Sequence, residues 1–177
     1  MFSKKKDRPG RAAGTSASPG DGFSALVKEH RSTIYTVCYM FSKDQQEVDD
    51  LFQETLIRLW QGWEHFEGRS EVRTWVYRVA LNTCISADRR KKRRKAVPLM
   101  EGLDMFDEND GDNRQNRLLH ARIQRLQPFD RAIVLLWLEN LSYDEIGAIV
   151  GITAKHVSVR LYRIKEQLKQ MNQDNGD

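Results

Sequence analysis

The side chains of this chain best equipped for chemistry are cations and aromatic rings, not nucleophiles. Seven consecutive basic residues fill positions 89–95. Upstream of them Arg69, Arg73 and Arg78 alternate with Phe66 and Trp75. Nearer the C-terminus Lys155, His156, Ser158, Arg160, Tyr162, Arg163 and Lys165 share the polar side of a helical pattern. An arginine can bind a guanine edge through two hydrogen bonds, and a lysine can neutralise a phosphate. A base stacked on an aromatic ring contributes about 1–3 kcal/mol, whatever its identity. A basic block also suits a nuclear signal or an anionic membrane surface. Neither a lipidation motif nor an amphipathic apolar face accompanies the membrane reading. Catalysis would need an activated nucleophile. There is no paired-carboxylate metal cluster, no phosphate-binding glycine loop and no histidine-based triad, and the four histidines, His30, His65, His120 and His156, are scattered. Cys38 and Cys84 sit in apolar helical patterns and read as buried thiols, so no zinc site, other metal or cofactor is expected.

These residues need elements to carry them. In residues 141–168 Ser142 and Glu145 have the spacing of a capping box, in which each side chain satisfies a backbone N–H of the other. Ile146, Ile149 and Val150 follow at helical spacing, and Gly151 stands where a left-handed residue would end the helix. Thr153 can cap a second helix with Val157, Leu161, Ile164 and Leu168 on one face. A short helix, a glycine turn and a longer basic helix make a helix-turn-helix, whose second helix enters the DNA major groove. A plain helical hairpin with a solvated basic face is the competing reading.

Upstream, helical spacing predicts a first helix over about residues 23–41 and a second over about 45–66, with Val48, Leu51, Phe52, Thr55, Leu59 and Trp63 facing inward. The second helix's other face is polar, except where Ile57 and Trp60 interrupt it as a partner surface would. A third helix, starting at Ser70 or Thr74, has Val72, Trp75, Val76, Val79, Ala80, Thr83 and Cys84 inside. Trp75 taken alone reads as core. Residues 97–116 carry six acidic residues and no basic one between Glu101 and Asp112, which reads as a flexible linker. Pro128 can open a further helix bearing Ile133, Val134, Leu136 and Trp137.

The chain has 177 residues, a net charge of +4 and 40% hydrophobic residues, enough for one domain or two small ones. No apolar run is long enough to span a membrane, and the first residues lack a secretory block, so a cytoplasmic protein is expected. The expected fold class is all-α: two small helical domains joined by a flexible acidic linker, the C-terminal one with a helix-turn-helix. The boundaries are a disordered basic tail at 1–22, a domain at 23–95, the linker at 96–116, a domain at 117–170 and a polar tail at 171–177.

Two segments, DDLFQETLIRLWQGWEHFEGRSEVRTWVYRVALNTCISADRRKKRR and LQPFDRAIVLLWLENLSYDEIGAIVGITAKHVSVRLYRIKEQL, in this order across this linker, resemble a bacterial sigma-70-type sigma factor of the small extracytoplasmic-function (ECF) group. The resemblance covers about residues 23–170. It implies a transcription initiation factor that binds core RNA polymerase, both β′ and β, together with promoter DNA in double- and single-stranded form. It also implies a possible anti-sigma partner. Asp50, Gln53, Glu54, Ile57, Arg58 and Trp60 would dock on polymerase. Phe66, Arg69, Arg73, Trp75, Arg78, Asn82, Arg89 and Arg90 would serve the −10 element, with Asn82 capturing a base. A local backbone hydrogen bond is the plainer role for Asn82. Lys155, Ser158, Val159, Arg160, Tyr162 and Arg163 would read the −35 element. Many relatives carry a basic residue where this chain has Ser158 and a small polar one where it has Val159; Val159 could instead touch a thymine methyl. A stand-alone helix-turn-helix regulator is the alternative, and it would bind specific DNA without polymerase.

Overall fold

The computed structural model describes residues 19–94 and 111–173. Most of the basic tail and of the acidic linker therefore lies outside the described residues. All regular structure within them is helical: α1 (Pro19–Phe41), α2 (Gln45–Trp63), α3 (Val72–Arg94), α4 (Gly111–Gln124), α5 (Pro128–Leu138), α6 (Tyr143–Val150) and α7 (Ala154–Gln173).

Helix α1 starts four residues before the sequence pattern does. Its PGDG opening is not apolar, but Pro suits a first turn and Asp21 complements the helix N-terminus. Asp44 caps α2 by accepting from the Glu47 N–H at 2.8 Å, and Glu47 accepts from the Lys43 N–H at 2.9 Å. Val48, Leu51, Thr55 and Leu59 of α2 are buried, whereas Phe52 and Trp63 are half-buried. The core of this N-terminal unit closes with Ile34, Val37 and Cys38 of α1 and Val76, Ala80 and Cys84 of α3. Cys38 and Cys84 are free and buried; the neighbouring Cys38 thiol and burial push the Cys84 thiol well up.

The C-terminal unit is built on α5, of which Arg131, Ala132, Ile133, Val134, Leu135 and Leu136 are all buried. Two handovers around it follow local rules. Asn140 takes a left-handed φ of 59° and ends α5, with Leu141 N–H donating to Leu136 O at 3.2 Å. The capping box of α6 is present in both directions, and Gly151 ends that helix at φ 81°. Thr153 Oγ1 then accepts from the His156 N–H at 3.3 Å and caps α7, which buries Val157, Leu161 and Ile164.

The two units are packed together. α1 and α3 meet α4, α5 and α6, and the contact explains burial that periodicity did not foresee. Tyr77 and Leu81, on the outer side of α3, are 1% and 3% exposed. In α4, Leu118 and Leu119 stay largely exposed while His120 is buried. The His120 ring stacks on Tyr39 at 4.4 Å and Nε2 donates to Tyr39 O at 2.9 Å. Burial pushes its imidazole down from the ordinary value. Gln124 donates to Ser42 O, and the buried Arg131 guanidinium lies 5.0 Å from the centre of the Phe41 ring while donating to Gln124 O and Leu126 O.

The glycines of the α6–α7 turn serve different ends. A Cβ on Gly147 would stand 2.5 Å from Ile152 O, whereas one on Gly151 would meet nothing within 4 Å and suffer only from the positive φ. Gly147→Ala should therefore destabilise the protein by about 1–3 kcal/mol, and Gly151→Ala by roughly 1 kcal/mol. Gly151→Asn should recover most of the latter loss, because Asn tolerates left-handed backbone. Thermal unfolding followed by circular dichroism ranks the three; equal losses would contradict the close approach at Gly147.

Candidate nucleic-acid interface

Helix α7 carries the first set of candidate residues. Lys155, Ser158, Val159, Tyr162 and Arg163 recur at three- and four-residue steps and are all exposed, Tyr162 at 69%. They form one continuous strip on the side opposite Val157, Leu161 and Ile164. Arg160 lies off that strip: its Nε is 3.1 Å from Asp130 Oδ1 and its guanidinium sits 4.9 Å from the centre of the Phe129 ring. It is tied to α5 at the edge of the strip. Lys165 is likewise placed 4.0 Å over Trp137. The strip offers two cations, a hydroxyl, a phenol and a methyl-bearing side chain, the mixture that base edges and phosphates accept.

The eight candidates on and before α3 separate into three places. Phe66 and Trp75 pack with Trp63 as one aromatic cluster, with centroids 5.0–6.2 Å apart, beside the loop that joins α2 to α3. Trp75 also covers Gly62, where a Cβ would come within 3.0 Å of the indole. The core role that Trp75 suggested on its own is thus part of its job. Arg69 is exposed and pairs with Glu67 at 2.5 Å, and Arg73 lies 5.7 Å from the centre of the Tyr77 ring. Those four make the loop end of the surface.

Arg78, Asn82 and Arg89 follow one another along a single face of α3, at steps of four and seven. They line a cleft of about 610 Å³ whose opposite wall is Pro128, Phe129 and Ala132 of α5 with Ile149 and Val150 of α6. Arg78 donates through Nε at 3.2 Å and through Nη2 to Ala148 O. Ala148 lies in the last turn of α6, where carbonyls lack helical partners and a cation is favoured. Asn82 is exposed in this cleft. Arg90 stands apart from the set, turned to α2, where its Nη2 reaches both oxygens of Glu54 at 2.8 and 3.1 Å.

On α2, Asp50, Gln53, Ile57 and Trp60 share an exposed face, with Ile57 at 58% and Trp60 at 45%. Phe23 supports Trp60 edge-on at 5.0 Å. Glu54 and Arg58 flank this face and pair with each other at 2.7 Å. The surface is half polar and half apolar, as a protein-binding face is. The residues that sequence reading did not single out are Asp130, Phe129 and Ala148, which hold Arg160 and Arg78 in place. Only tertiary contact reveals them. Among the described residues no group of His, Cys, Asp or Glu is placed to hold a metal ion, and no helix is long and apolar enough to cross a membrane.

Comparison with known proteins follows the same division. Residues 26–94 match the family model for sigma-70 region 2, and residues 116–168 match that for sigma-70 region 4. Among curated proteins, the ECF RNA polymerase sigma factor SigE of Mycolicibacterium smegmatis is 33% identical over 153 residues, covering 81% of this chain and 59% of the relative. SigG of Mycobacterium tuberculosis is 29% identical, covering 88% and 50% respectively. The chain thus spans about half the length of these two relatives. SigW of Bacillus subtilis is 28% identical, over 87% of this chain and 90% of SigW. Among solved structures, RpoE bound to the anti-sigma factor NepR from Bartonella quintana superposes with a TM-score of 0.69 at 19% identity, covering 85% of this chain and 96% of that one. CnrH in complex with the cytosolic domain of CnrY gives 0.64 at 21%, covering 89% and 91%. At those identities the structures speak for the fold. The two family matches stand in order on the two helical units, with the sequence relatives spanning both, and the chain belongs to the sigma-70 family, in its ECF group.

Proposed function

We propose that this chain is a dissociable transcription initiation factor that binds core RNA polymerase through the exposed face of α2 and directs it to promoters with −10 and −35 elements. The observation that carries the reading is the order of two surfaces on one chain: a half-apolar face beside an arginine-lined, aromatic-ended helix, then a helix-turn-helix with a free polar strip. Asp50, Gln53, Glu54, Ile57, Arg58 and Trp60 contact β′, and the whole assembly also meets β. Phe66, Arg69, Arg73, Trp75, Arg78, Asn82 and Arg89 engage the −10 element and the opened strand, where a flipped base needs a pocket and single-stranded DNA needs cations and rings. Lys155, Ser158, Val159, Tyr162 and Arg163 read the −35 element, with Arg160 at the edge. The protein makes and breaks no bond; its effect is the binding free energy it adds to the polymerase–promoter complex. Its place of work is the cytoplasm. An anti-sigma partner fits the chain as well, since one structural neighbour, the sigma factor RpoE, is held by the anti-sigma factor NepR.

Promoter engagement requires the two units to part. The elements lie about 25 base pairs apart by their names, roughly 85 Å of duplex at about 3.4 Å per step. Here α3 is hydrogen-bonded to α6, and the α5–α6 wall faces Asn82 across the cleft. A tether between the units then raises the local concentration of the second reader once the first has bound.

Run-off transcription with purified core polymerase on genomic fragments tests the function: new starts should appear only when the chain is added. Specific duplex binding with no requirement for core would instead identify a stand-alone regulator. Arg163→Ala should cost about 1–3 kcal/mol in discrimination between promoter and scrambled −35 DNA, measured with holoenzyme. An equal loss on both DNAs would reduce Arg163 to a phosphate contact. With fluorophores at Lys28→Cys and Gln170→Cys, energy transfer should fall when core and promoter are added; an unchanged signal in the open complex would contradict separation of the units.

A further inference from the structure

The run at 89–95 is not a uniform cationic block. Arg90 spans both oxygens of Glu54, and Lys91 Nζ lies 3.1 Å from Glu47 Oε1. Lys92 pairs with Asp88 at 3.0 Å. Arg89 and Arg93 have no ion pair among the described residues. The helical period explains the split: Arg89 and Lys92 turn to the cleft, while Arg90 and Lys91 turn to α2, whose Glu47 and Glu54 stand two turns apart. The Glu54 carboxylate also accepts from Arg58 Nη2 at 2.7 Å, so two arginines from two helices hold it.

We propose that Arg90 is a positioning residue for polymerase docking, holding Glu54 in its docking conformation, and not a DNA ligand. The proposal rests on the reading of the α2 face as the polymerase site. Three arguments carry it. A phosphate that approached Arg90 would also approach the Glu54 carboxylate already bound to it, so like charges would oppose the contact. Asp50 and Glu54 are four residues apart on α2, a spacing at which two unneutralised carboxylates repel each other. And a glutamate free to sample its rotamers must be ordered when a partner binds. Prior ordering by Arg90 is worth about two- to tenfold in affinity per such side chain. Of the roughly four acceptor positions on a carboxylate, three are used here. The pinned group therefore still has room for a donor from the partner.

The test uses the full chain and purified core polymerase. Arg90→Ala should weaken core binding about two- to tenfold, and Arg90→Lys should recover part of the loss, since an ammonium keeps the charge without the planar fork. In the Glu54→Ala background, Arg90→Ala should have no further effect. The salt dependence of promoter binding by preformed holoenzyme should be unchanged by Arg90→Ala, whereas Arg89→Ala should lower its slope by about one. Core affinity untouched by Arg90→Ala, while Glu54→Ala lowers it, would overturn the proposal. Strictly additive losses, or a slope lowered by Arg90→Ala, would do the same. If Glu54→Ala leaves core affinity intact, the docking reading itself fails and the positioning role falls with it.

Discussion

Helix α3 is packed on two sides and charged along the third, and the placement of the other elements follows from that constraint. Val76, Ala80, Thr83 and Cys84 seal it against α1 and α2. Tyr77 and Leu81 are buried where the C-terminal unit meets the helix. Burial of each large side chain contributes about 1.5–3 kcal/mol, so both contacts are strong enough to fix the rotation of the helix. The face left over is the row of Arg78, Asn82 and Arg89. Burial in a shared wall thus decides which cations face the cleft. It also pushes the Tyr77 phenol up from its ordinary value.

Electrostatics then sorts the remaining charges. A surface ion pair contributes little, typically below about 1 kcal/mol, and the pairs of Glu54 with Arg58 and Arg90 are of this kind. Their importance is directional. The Arg90 pair turns one cation of the basic run away from the cleft, and the two pairs together orient the Glu54 carboxylate beside the α2 face. Arg160 is the C-terminal counterpart: Asp130 and Phe129 hold it beside the α7 strip. Arg78 is held differently, by the electronegative end of α6. Arg90, Arg160 and Arg78, which a sequence shows only as basic, are thus assigned by the element opposite them.

The helix-turn-helix obeys local rules almost throughout. Its capping box, its left-handed glycine and its second cap involve groups within four residues of one another, and all three occur as the spacing requires. Gly147 is the exception. It lies inside a helix, where glycine is unfavourable, and its reason is the Ile152 carbonyl folded back against it.

The helical class, the two units, the caps of α6 and α7 and the apolar stripes of α2 and α7 were legible in the residues alone, because each depends on neighbours a turn or two away. So was the exposed strip from Lys155 to Arg163, since a helix that buries Val157, Leu161 and Ile164 has only one side left for it. What only the tertiary structure decided lies where distant segments meet: the burial of Tyr77, Leu81 and His120, the exposure of Leu118 and Leu119, the capture of Arg78 by Ala148 O, and the turn of Arg90 toward Glu54. Periodicity reports that a side chain shares a face with others. It carries no information on what covers that face, and for a long cation that cover determines whether the charge is free to meet DNA.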